Sequence, residues 1–469
     1  MNPPCITKET ALRAFWRGDI WVKLSALVWG AGCFARGQIA KGMLLCLEEA
    51  AFVLGIGLTW PFLMKLATLG TVQAERIWDP VTRRNVWNDY DNSFLILLFG
   101  VIALLLIGGF LVQCVRMMRH ARRSQQRVQA GHALPRLRED AARYLGQDFH
   151  RTLLFFPVSG VTLVMILPLI VMILIAFTNY DRNHLVPTNL FTWVGLDNFR
   201  LLTDLTGSGA FAHAFPRVLG WTLLWAVTAT LSCYFGGILL AMLVNHQRTI
   251  AKPFWRTCFM IAMAVPQFVS LLLVRNLFAD VGIINTLCKQ WGVTDWLYQI
   301  GAIPTANVIP FLTHPSWAKP MILLINFWVG VPYQMLIATG ILLNIPHELT
   351  EAARIDGAGG LQVFRHITLP YLLHITGPSL ISGMVNNVNN FNVIWLLSRD
   401  VYVTTDQLMA QAGATEVDLL VTWLYRLTQD QSNYKMASVI GILVFVVCSA
   451  LTLIAFGRLT GRGREEAFH

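Results

Sequence analysis

The sequence Glu351-Ala-Ala-Arg-Ile-Asp-Gly357, with Ile367-Thr-Leu-Pro370 after it, is a polar interruption between two long apolar segments. The stretch opens at Pro346 with an acidic residue close behind, and both suit the first turn of a helix. Its paired alanines are strong helix formers with minimal side chains, so a partner's surface can approach the backbone closely. Gly357 and the pair Gly359-Gly360 permit the left-handed turn that ends such a helix. The sequence therefore predicts a helix-turn-helix knob with a small-residue face.

The composition is that of a chain with many membrane-spanning helices. The sequence has 469 residues, of which 55% are hydrophobic and 13% charged, and its mean hydropathy is +0.54. The net charge of +10 is expected in cytoplasmic loops and does not require a nucleic-acid partner. The eight cysteines include no Cys-x-x-Cys pair, which disfavours a disulfide framework or a zinc site. No cleavable signal peptide is expected. The predicted fold class is an all-α polytopic integral membrane protein.

Eight apolar segments are long enough to cross a bilayer, which takes about 20 residues at a rise of 1.5 Å each. In the first segment Glu48 and Glu49 would be costly at membrane depth, and a helix nearer the interface explains them more simply than a functional acidic pair. The predicted spans are 43–63, 94–115, 152–178, 218–244, 257–274, 320–344, 371–397 and 436–457.

The distribution of lysine and arginine predicts the orientation. When the polar knob is placed in the cytoplasm, the inside segments hold 23 of these residues and the outside segments hold 12. Nine of the inside residues belong to the linker 116–151. Because basic residues accumulate in cytoplasmic loops, both termini are expected in the cytoplasm.

The linker 116–151 is also the expected boundary between two parts of the chain. Its charged stretch from Arg119 to Gly131 is predicted to be flexible, and Leu137 to Arg151 is predicted to be an amphipathic helix. Residues 1–150 would form an N-terminal region with two accessory spans and this basic cytoplasmic linker, beginning with an interfacial or cytosolic segment. Residues 151–460 would hold the remaining six spans and the knob at 346–370.

The knob resembles a family signature. Glu-Ala-Ala, three residues, glycine, nine residues and Ile-x-Leu-Pro is the pattern of the permease subunits of binding-protein-dependent ABC importers, and every spaced position is filled here. In that family the loop is the coupling helix, which sits in a cleft of the ATP-hydrolysing subunit. The resemblance assigns ATPase coupling to Glu351, Ala352, Ala353 and Gly357. The alternative is a short amphipathic cytosolic loop without a partner.

Four further stretches are similar to the maltose and maltodextrin branch of that family, and together with the knob they cover most of 150–460. They are Ile175–Asp181, Val194–Phe199, Phe327–Tyr333 and Asn389–Phe391. The resemblance implies a type I importer core of six helices in the bacterial cytoplasmic membrane. It also implies a second homologous permease, two copies of an ATP-binding subunit and an extracytoplasmic sugar-binding protein. Some relatives carry a large folded domain between the first two core helices, and 179–217 is too short for one.

No catalytic machinery is predicted. Gly32 to Gly37 has the glycine spacing of a phosphate-binding GxxxxGK[ST] loop but is followed by Gln38. No metal-ligand cluster, cofactor site or nucleophile elbow is recognised. The chain is therefore expected to be a transport subunit without a cofactor, with ATP hydrolysed by its partners.

Polar residues at membrane depth form a second candidate site. On a continuous helix over 371–397, one face would hold Ser379, Gly383, Asn386, Asn387 and Asn390, and the helix before the knob would group Asn326, Gly330 and Tyr333. Unpaired amides in hydrocarbon are costly, so these faces should meet other helices or water. Amides that join helices would explain the pattern. A sugar site would explain it too, because amides both donate and accept hydrogen bonds and aromatic rings stack on sugar C–H faces.

The resemblance favours the sugar site. It implies substrate contacts at Gly330, Tyr333, Asn386, Asn387 and Asn390. Maltose-type members are expected to have an aromatic residue at the position of Asn386 and a hydroxyl at that of Gly383, and these two departures concern the identity of the sugar rather than its class.

The predicted function is therefore the permease subunit of an ATP-driven importer of maltose- or maltodextrin-type oligosaccharides. Galacto-oligosaccharides and cyclodextrins are alternative cargoes. A secondary sugar transporter is the competing class, although the sequence shows no inverted repeat. Prolines inside the predicted spans would serve either as packing kinks or as hinges. These are Pro157, Pro168, Pro266, Pro332 and Pro378.

Overall fold

The computed structural model describes residues 10–81, 83–204, 209–246, 248–398 and 404–459. Within these ranges helices predominate, and the strands form one two-stranded antiparallel hairpin. The chain divides into two compact units, Met1–Gly195 and Leu196–His469.

The first unit holds the hairpin and the following helices. They are α1 (Ala11–Arg17), α2 (Ile20–Leu24), α3 (Ala31–Phe34), α4 (Ile39–Lys65), α5 (Ser93–Gln129), α6 (Leu137–Leu145), α7 (Phe149–Val161) and α8 (Leu167–Ile175). Strands β1 (Arg76–Asp79) and β2 (Arg84–Trp87) pair with Arg76 opposite Trp87. A π-helical segment, Thr162–Ile166, joins α7 to α8, and a 3-10 turn, Arg182–His184, follows.

Helices α4 and α5 pack against each other, and the two glutamates of α4 have hydrogen-bond partners on α5 and in the segment between α2 and α3. Glu48 Oε1 accepts a hydrogen bond of 2.9 Å from Gln113 Nε2. Glu49 Oε2 accepts the backbone N–H of Trp29 at 2.9 Å. These bonds compensate two carboxylates whose burial near a membrane is otherwise costly, and they give the pair a structural role.

In its described part, the second unit has helices joined by turns and loops and no β-strand. Its helices are α9 (Asp197–Arg200), α10 (Ala210–Asn245), α11 (Lys252–Ala264), α12 (Gln267–Leu277), α13 (Ile283–Gln290), α14 (Val293–Gln299), α15 (Pro315–Leu342), α16 (His347–Ile355), α17 (Gly360–Val363), α18 (Leu369–Val388), α19 (Phe391–Ser398), α20 (Gln407–Gln411), α21 (Leu420–Gln429) and α22 (Tyr434–Leu459). A second π-helical segment, Phe364–Thr368, joins α17 to α18.

Helix α10 is the central packing element of the second unit. Helices α15 and α18 both lie against it. One buried cluster joins Ile238 of α10 to Met335 of α15 and Leu372 of α18. Within the same contact, the hydroxyls of Tyr234 and Thr376 are 2.7 Å apart. The apolar clusters and the buried hydroxyl pair fix both neighbours to α10.

Six helices of the described chain are long and apolar enough to cross a membrane. They are Ile39–Lys65, Ser93–Gln129, Phe149–Ile175, Ala210–Asn245, Pro315–Leu342 and Tyr434–Ile454. The predicted span 257–274 is a pair of helices, α11 and α12, that meet at 91°. Val265 is extended before Pro266, because a proline disfavours the helical conformation of the residue that precedes it. The pair adds a seventh crossing if it counts as one span.

The prediction of one continuous helix over 371–397 is wrong. Helix α18 ends at Val388 and α19 begins at Phe391, with Asn389 and Asn390 between them. The Asn390 Oδ1 atom accepts the N–H of Val393 in the first turn of α19 at 3.3 Å. Asparagine side chains compete for backbone hydrogen bonds in this way, so the amides that suggested a helix face also end the helix.

The linker also differs from its prediction. The stretch from Arg119, predicted to be flexible, continues α5 as a helix to Gln129. Ala121 of this extension, together with Met118 just before it, is buried against Val22 of α2. Tertiary packing therefore orders a segment whose composition suggests mobility. The amphipathic helix expected over Leu137 to Arg151 is present only as far as Leu145, in α6, because the helix breaks at Gly146 and Phe149 begins α7.

Each π-helical segment lies just before a proline. Thr162–Ile166 precedes Pro168 by two residues, and Phe364–Thr368 precedes Pro370 by two. A proline has no N–H for the carbonyl four residues back. The wider π turn just before the proline accommodates the loss of that bond, and it inserts one extra residue in the helix.

Candidate functional site

The knob has the shape that its sequence predicts. Pro346 is the N-cap of α16, and Glu348 lies in the first turn. Gly357 adopts φ +82°, the left-handed conformation that glycine takes without steric cost. The Ala358 N–H donates to the Ala353 carbonyl at 2.9 Å, and the Gly357 N–H donates to the Arg354 carbonyl at 3.0 Å. These two bonds form a Schellman motif that ends α16 and reverses the chain.

The tip of the knob exposes apolar side chains. Ile355 is 86% exposed and Leu361 is 79% exposed. Glu351 and Ala352 are exposed on the same helix-turn-helix element. Between α16 and the π segment lies a hollow of about 360 Å³, lined in part by Ala353, Gly357 and His366. Large apolar groups on a protruding, hollowed surface indicate a docking surface for another protein.

Gly330 lies where α15 crosses α10. A Cβ atom there would lie 2.7 Å from Cys233 Sγ, which is too close for any real contact. The next turn repeats the arrangement, because a Cβ on Gly237 would lie 2.4 Å from Gln334 Cβ. Gly330 therefore allows two helix backbones to approach, as small residues do in membrane helix pairs.

Asn387 lies where α18 crosses α10. Its Nδ2 donates to Thr230 Oγ1 at 2.9 Å, and its Oδ1 accepts from Asn390 Nδ2 at 3.2 Å. Gly383 faces the same threonine, because a Cβ atom added at Gly383 would lie 3.6 Å from Thr230 Cγ2. Because Thr230 and Cys233 are three residues apart on α10, the two predicted sets of site residues come together at one helical turn.

The other predicted site residues are more open. Tyr333 is 55% exposed, and within the described ranges its hydroxyl makes no hydrogen bond. Asn386 is exposed as well. Asn390 is half-buried, but it belongs to the break between α18 and α19 rather than to the face of α18. Asn387 and Gly330 are thus engaged in packing, whereas Tyr333 and Asn386 present free polar and aromatic surface.

Sequence reasoning missed an aromatic cluster beside Asn390. Phe391 and Trp395 stack at 5.3 Å between ring centroids, and Tyr425 of α21 packs edge-on against both, at 4.8 and 4.7 Å. The Arg426 guanidinium lies 5.1 Å from the centre of the Trp395 ring. The spacing of four residues between Phe391 and Trp395 was a signal for a shared helix face, but the contribution of α21 required the fold.

One ion cluster joins the N-terminal end of α10 to the segment before α20. Asp406 Oδ2 lies 2.7 Å from His213 Nε2 and also contacts Arg217. The hydrogen bond from His213 holds the pKa of Asp406 well below its usual range, at about 2, with help from the backbone N–H groups of Met409 and Leu408. Asp406 therefore stays ionised at any physiological pH. Across the described ranges, no group of three or more His, Cys, Asp or Glu side chains is placed to hold a metal.

Comparison with protein families matches residues 233–464 to the family described as "Binding-protein-dependent transport system inner membrane component". The match begins at Cys233 of α10 and includes the knob, α18 and α22. It therefore contains both the knob and most of the residues that come together at α10.

Curated relatives match almost the whole chain. A maltodextrin transport system permease protein, MalC of Streptococcus pneumoniae, is 32% identical over 447 residues, which cover 94% of this chain and 96% of the relative. MdxF of Bacillus subtilis, also a maltodextrin transport system permease protein, is 32% identical with the same two coverages. GanP of Bacillus subtilis, a galactooligosaccharides transport system permease protein, is 32% identical and covers 95% of this chain and 98% of the relative.

A solved structure shares the fold. A chain from a bacterial ABC transporter involved in the import of the acidic polysaccharide alginate matches with a TM-score of 0.51 and 20% identity. The match covers 70% of this chain and 99% of that chain.

Proposed function

This chain belongs to the binding-protein-dependent ABC importer permeases, in the maltodextrin branch of the sugar importers, and we propose that it forms part of the membrane path for an oligosaccharide. It is a multi-pass protein of the inner membrane and a transport subunit. The proposal concerns its cargo, its partners, its orientation and the residues that do the work.

One observation carries the proposal: α18 connects the docking knob directly to the amide cluster. The π segment after α17 continues without a break into α18, which runs for 20 residues and ends beside Asn387. At 1.5 Å per residue this is about 30 Å, the thickness of the hydrocarbon core. Through this helix, a displacement of the knob would be transmitted to the residues around Thr230 and Asn387.

At the knob end, we assign coupling to Glu351, Ala352, Ala353 and Gly357. Exposed Ile355 and Leu361 would be buried in the ATP-binding subunit, and Glu351 would face a basic group on it. ATP would be hydrolysed in two copies of that subunit. A second homologous permease and an extracytoplasmic sugar-binding protein would complete the assembly.

At the other end, we assign sugar contacts to Tyr333, Asn386, Asn387 and Asn390, with Gly330 setting the approach of α15 to α10. Exposed Tyr333 offers a ring for a sugar C–H face, and the amides offer donors and acceptors for hydroxyls. A maltodextrin is the proposed cargo. The galacto-oligosaccharide relative is equally identical in sequence, so galacto-oligosaccharides are the alternative to test beside cyclodextrins.

Competition for uptake separates these cargoes. In cells that lack this chain and carry it on a plasmid, uptake of a labelled maltodextrin should be restored and should be inhibited more by unlabelled maltodextrins than by galacto-oligosaccharides or cyclodextrins. Tagged chain should co-purify with an ATP-binding subunit and a second permease. Uptake that persists without the ATP-binding subunit would instead indicate a secondary transporter.

We further propose that both termini are cytoplasmic, with residues 1–150 as an accessory region and 151–460 as the permease core. The charge asymmetry and the basic extension of α5 support this orientation. Exposed Ala142 and exposed Gln73 lie on opposite sides in this topology. In a cysteine-free background, a cysteine at Gln73 should react with an impermeant thiol reagent in intact cells, and one at Ala142 only after permeabilisation. The reverse pattern would invert the topology.

A further inference from the structure

The three short N-terminal helices expose large apolar side chains. Helices α1, α2 and α3 have seven, five and four residues, so none can cross a bilayer. Leu12 and Trp16 are each 73% exposed, and Leu27, which follows α2, is 74% exposed. Exposed Ile20, Trp21 and Leu24 join them. Such a density of exposed apolar groups needs a covering surface.

Helix α1 is amphipathic. At about 100° per residue, Leu12 and Trp16 lie within about 40° of each other on α1, and buried Ala14 lies on the opposite side. Arg13 and Arg17 are exposed along the flank between the two faces. Helix α1 therefore turns one face to the protein, an apolar face outward and a basic edge between them, as an interfacial helix does.

The segment is held firmly against α4 and α5. Asp19 caps α2 by accepting the N–H of Val22 at 2.8 Å, and it forms a salt bridge of 2.9 Å with Arg36. The Trp29 ring, 1% exposed, packs against Phe52 and Phe110 at 5.5 and 5.2 Å. The outward apolar face is therefore a fixed part of the fold rather than a fraying terminus.

The depth of the segment follows from its contacts with α5. The apolar stretch of α5 ends at Val115, and α2 packs on Met118 and Ala121. These residues are three and six positions beyond Val115, or about 4–9 Å along the helix axis. The polar headgroup layer adds about 5–8 Å to each side of the hydrocarbon core. Helices α1 and α2 would therefore lie at the level of the lipid headgroups, and α3 would lie beside the end of the apolar stretch, where Cys33 clusters with Cys114.

The net positive charge of the segment favours lipids with anionic headgroups. Residues 10–38 carry four basic side chains and one acidic side chain, Asp19, which is paired with Arg36. The remaining three, Arg13, Arg17 and Lys23, are exposed. Basic residues beside an apolar interfacial face attract anionic lipid headgroups.

We propose that α1–α3 form a membrane-surface anchor, which lies in the headgroup layer where α5 leaves the bilayer and binds anionic phospholipid through Arg13, Arg17 and Lys23. The apolar face enters the acyl-chain boundary and continues the lipid-facing surface of α4 and α5. This role is independent of the cargo and of the coupling knob.

Spin labels at single cysteines test the depth directly. The full chain, in a cysteine-free background that retains uptake, is reconstituted in nanodiscs of phosphatidylglycerol and phosphatidylcholine. Labels at Leu12, Trp16 and Leu27 should collide frequently with oxygen and rarely with a water-soluble nickel chelate, and a label at exposed Gln73 should show the opposite. High nickel accessibility at all three positions would place the face in water. Low accessibility to both reagents would place it against protein. Either result overturns the proposal.

Lipid retention tests the charge. The variant Arg13→Glu/Arg17→Glu/Lys23→Glu should retain several-fold less phosphatidylglycerol than wild type in native mass spectrometry of the purified protein. The matched control is Arg200→Glu, because Arg200 is exposed and lies in the second unit. Equal retention by the triple variant and wild type would remove the anionic-lipid assignment, whatever the spin labels report.

Discussion

The knob around Gly357 and the amide cluster around Asn387 lie at opposite ends of α18 and are held in different ways. Backbone geometry fixes the knob. The left-handed Gly357 and two backbone hydrogen bonds to carbonyl groups of α16 form its turn, while its side chains remain exposed. Side-chain pairs fix the amide cluster, through Thr230 and Asn390. Because of this difference, substitutions that change the φ angle of Gly357 should disrupt the knob, whereas removal of a single polar side-chain atom should disrupt the amide cluster.

The largest expected effect is the loss of the backbone turn. Gly357→Val should abolish uptake while the protein still inserts, because a residue with a side chain pays about 1–2 kcal/mol in the left-handed conformation and a β-branched residue pays more. No atom lies within 4 Å of a Cβ at this position, so the effect is conformational rather than steric. Gly357→Asn is the matched control and should retain most uptake, since asparagine tolerates this conformation. Normal uptake with valine would show that the turn is not required.

The second effect concerns the exposed apolar tip. Ile355→Ser and Leu361→Ser should each weaken co-purification of the ATP-binding subunit, because burial of such a side chain contributes about 1.5–3 kcal/mol, roughly 10- to 150-fold in affinity. Val281→Ser is the control: Val281 is 96% exposed but lies outside the knob. Retention of the ATP-binding subunit by both knob variants at the level of the control would exclude the tip from the interface.

The third effect separates sugar contact from helix packing. Asn387→Ala removes a partner of Thr230 and should lower both thermal stability and sugar affinity, by about 1–3 kcal/mol, or roughly five- to 150-fold in affinity. Tyr333→Ala, at an exposed position, should leave the melting temperature within about 1 °C of wild type yet shift the ranking among maltodextrins, cyclodextrins and galacto-oligosaccharides. Thr230→Val serves as the packing control. If Tyr333→Ala and Thr230→Val both change uptake only in proportion to membrane protein, the cluster is a packing element.

The smallest effect is a pH dependence of the ion cluster at Asp406. Its folded pKa of about 2 lies below the unfolded value of about 3.9. The stabilisation is therefore complete above about pH 4 and is lost as the pH falls toward 2. The melting temperature of wild type should exceed that of Asp406→Asn by a constant margin above pH 5, and the margin should shrink as the pH falls through 3 and close only below about pH 2. A margin as large at pH 2.5 as at pH 6 would show that ionisation of Asp406 does not stabilise the fold.

The sequence predicted the knob better than the amide cluster, for a physical reason. Gly357 could be assigned because a turn of this kind needs a residue without a side chain, and the requirement is local. Gly330 was assigned a sugar contact, yet its place is fixed by Cys233 of another helix. The spacing of residues along one helix does not reveal which neighbour it meets.

The positions where helices bend, end or extend show the same limit of prediction from local sequence. Pro266 marked the bend between α11 and α12, because proline acts on its own backbone and its neighbour's. The end of α18 had no such marker, since it depends on a hydrogen bond from the first turn of the next helix to the Asn390 side chain. The helical extension of α5 past Arg119 depends on contacts with α2, more than ninety residues earlier in the chain. Local signals were therefore readable, and long-range contacts were not.

The π segment Phe364–Thr368 determines how far α18 is rotated about its axis relative to the knob. One residue added to an α-helix turns everything after it by about 100° and advances it by about 1.5 Å. Deleting one residue from this segment would leave the knob and α18 each intact but would rotate Asn387 away from Thr230. The single extra residue before Pro370 thus sets the angle between the proposed docking surface and the proposed sugar-contact face.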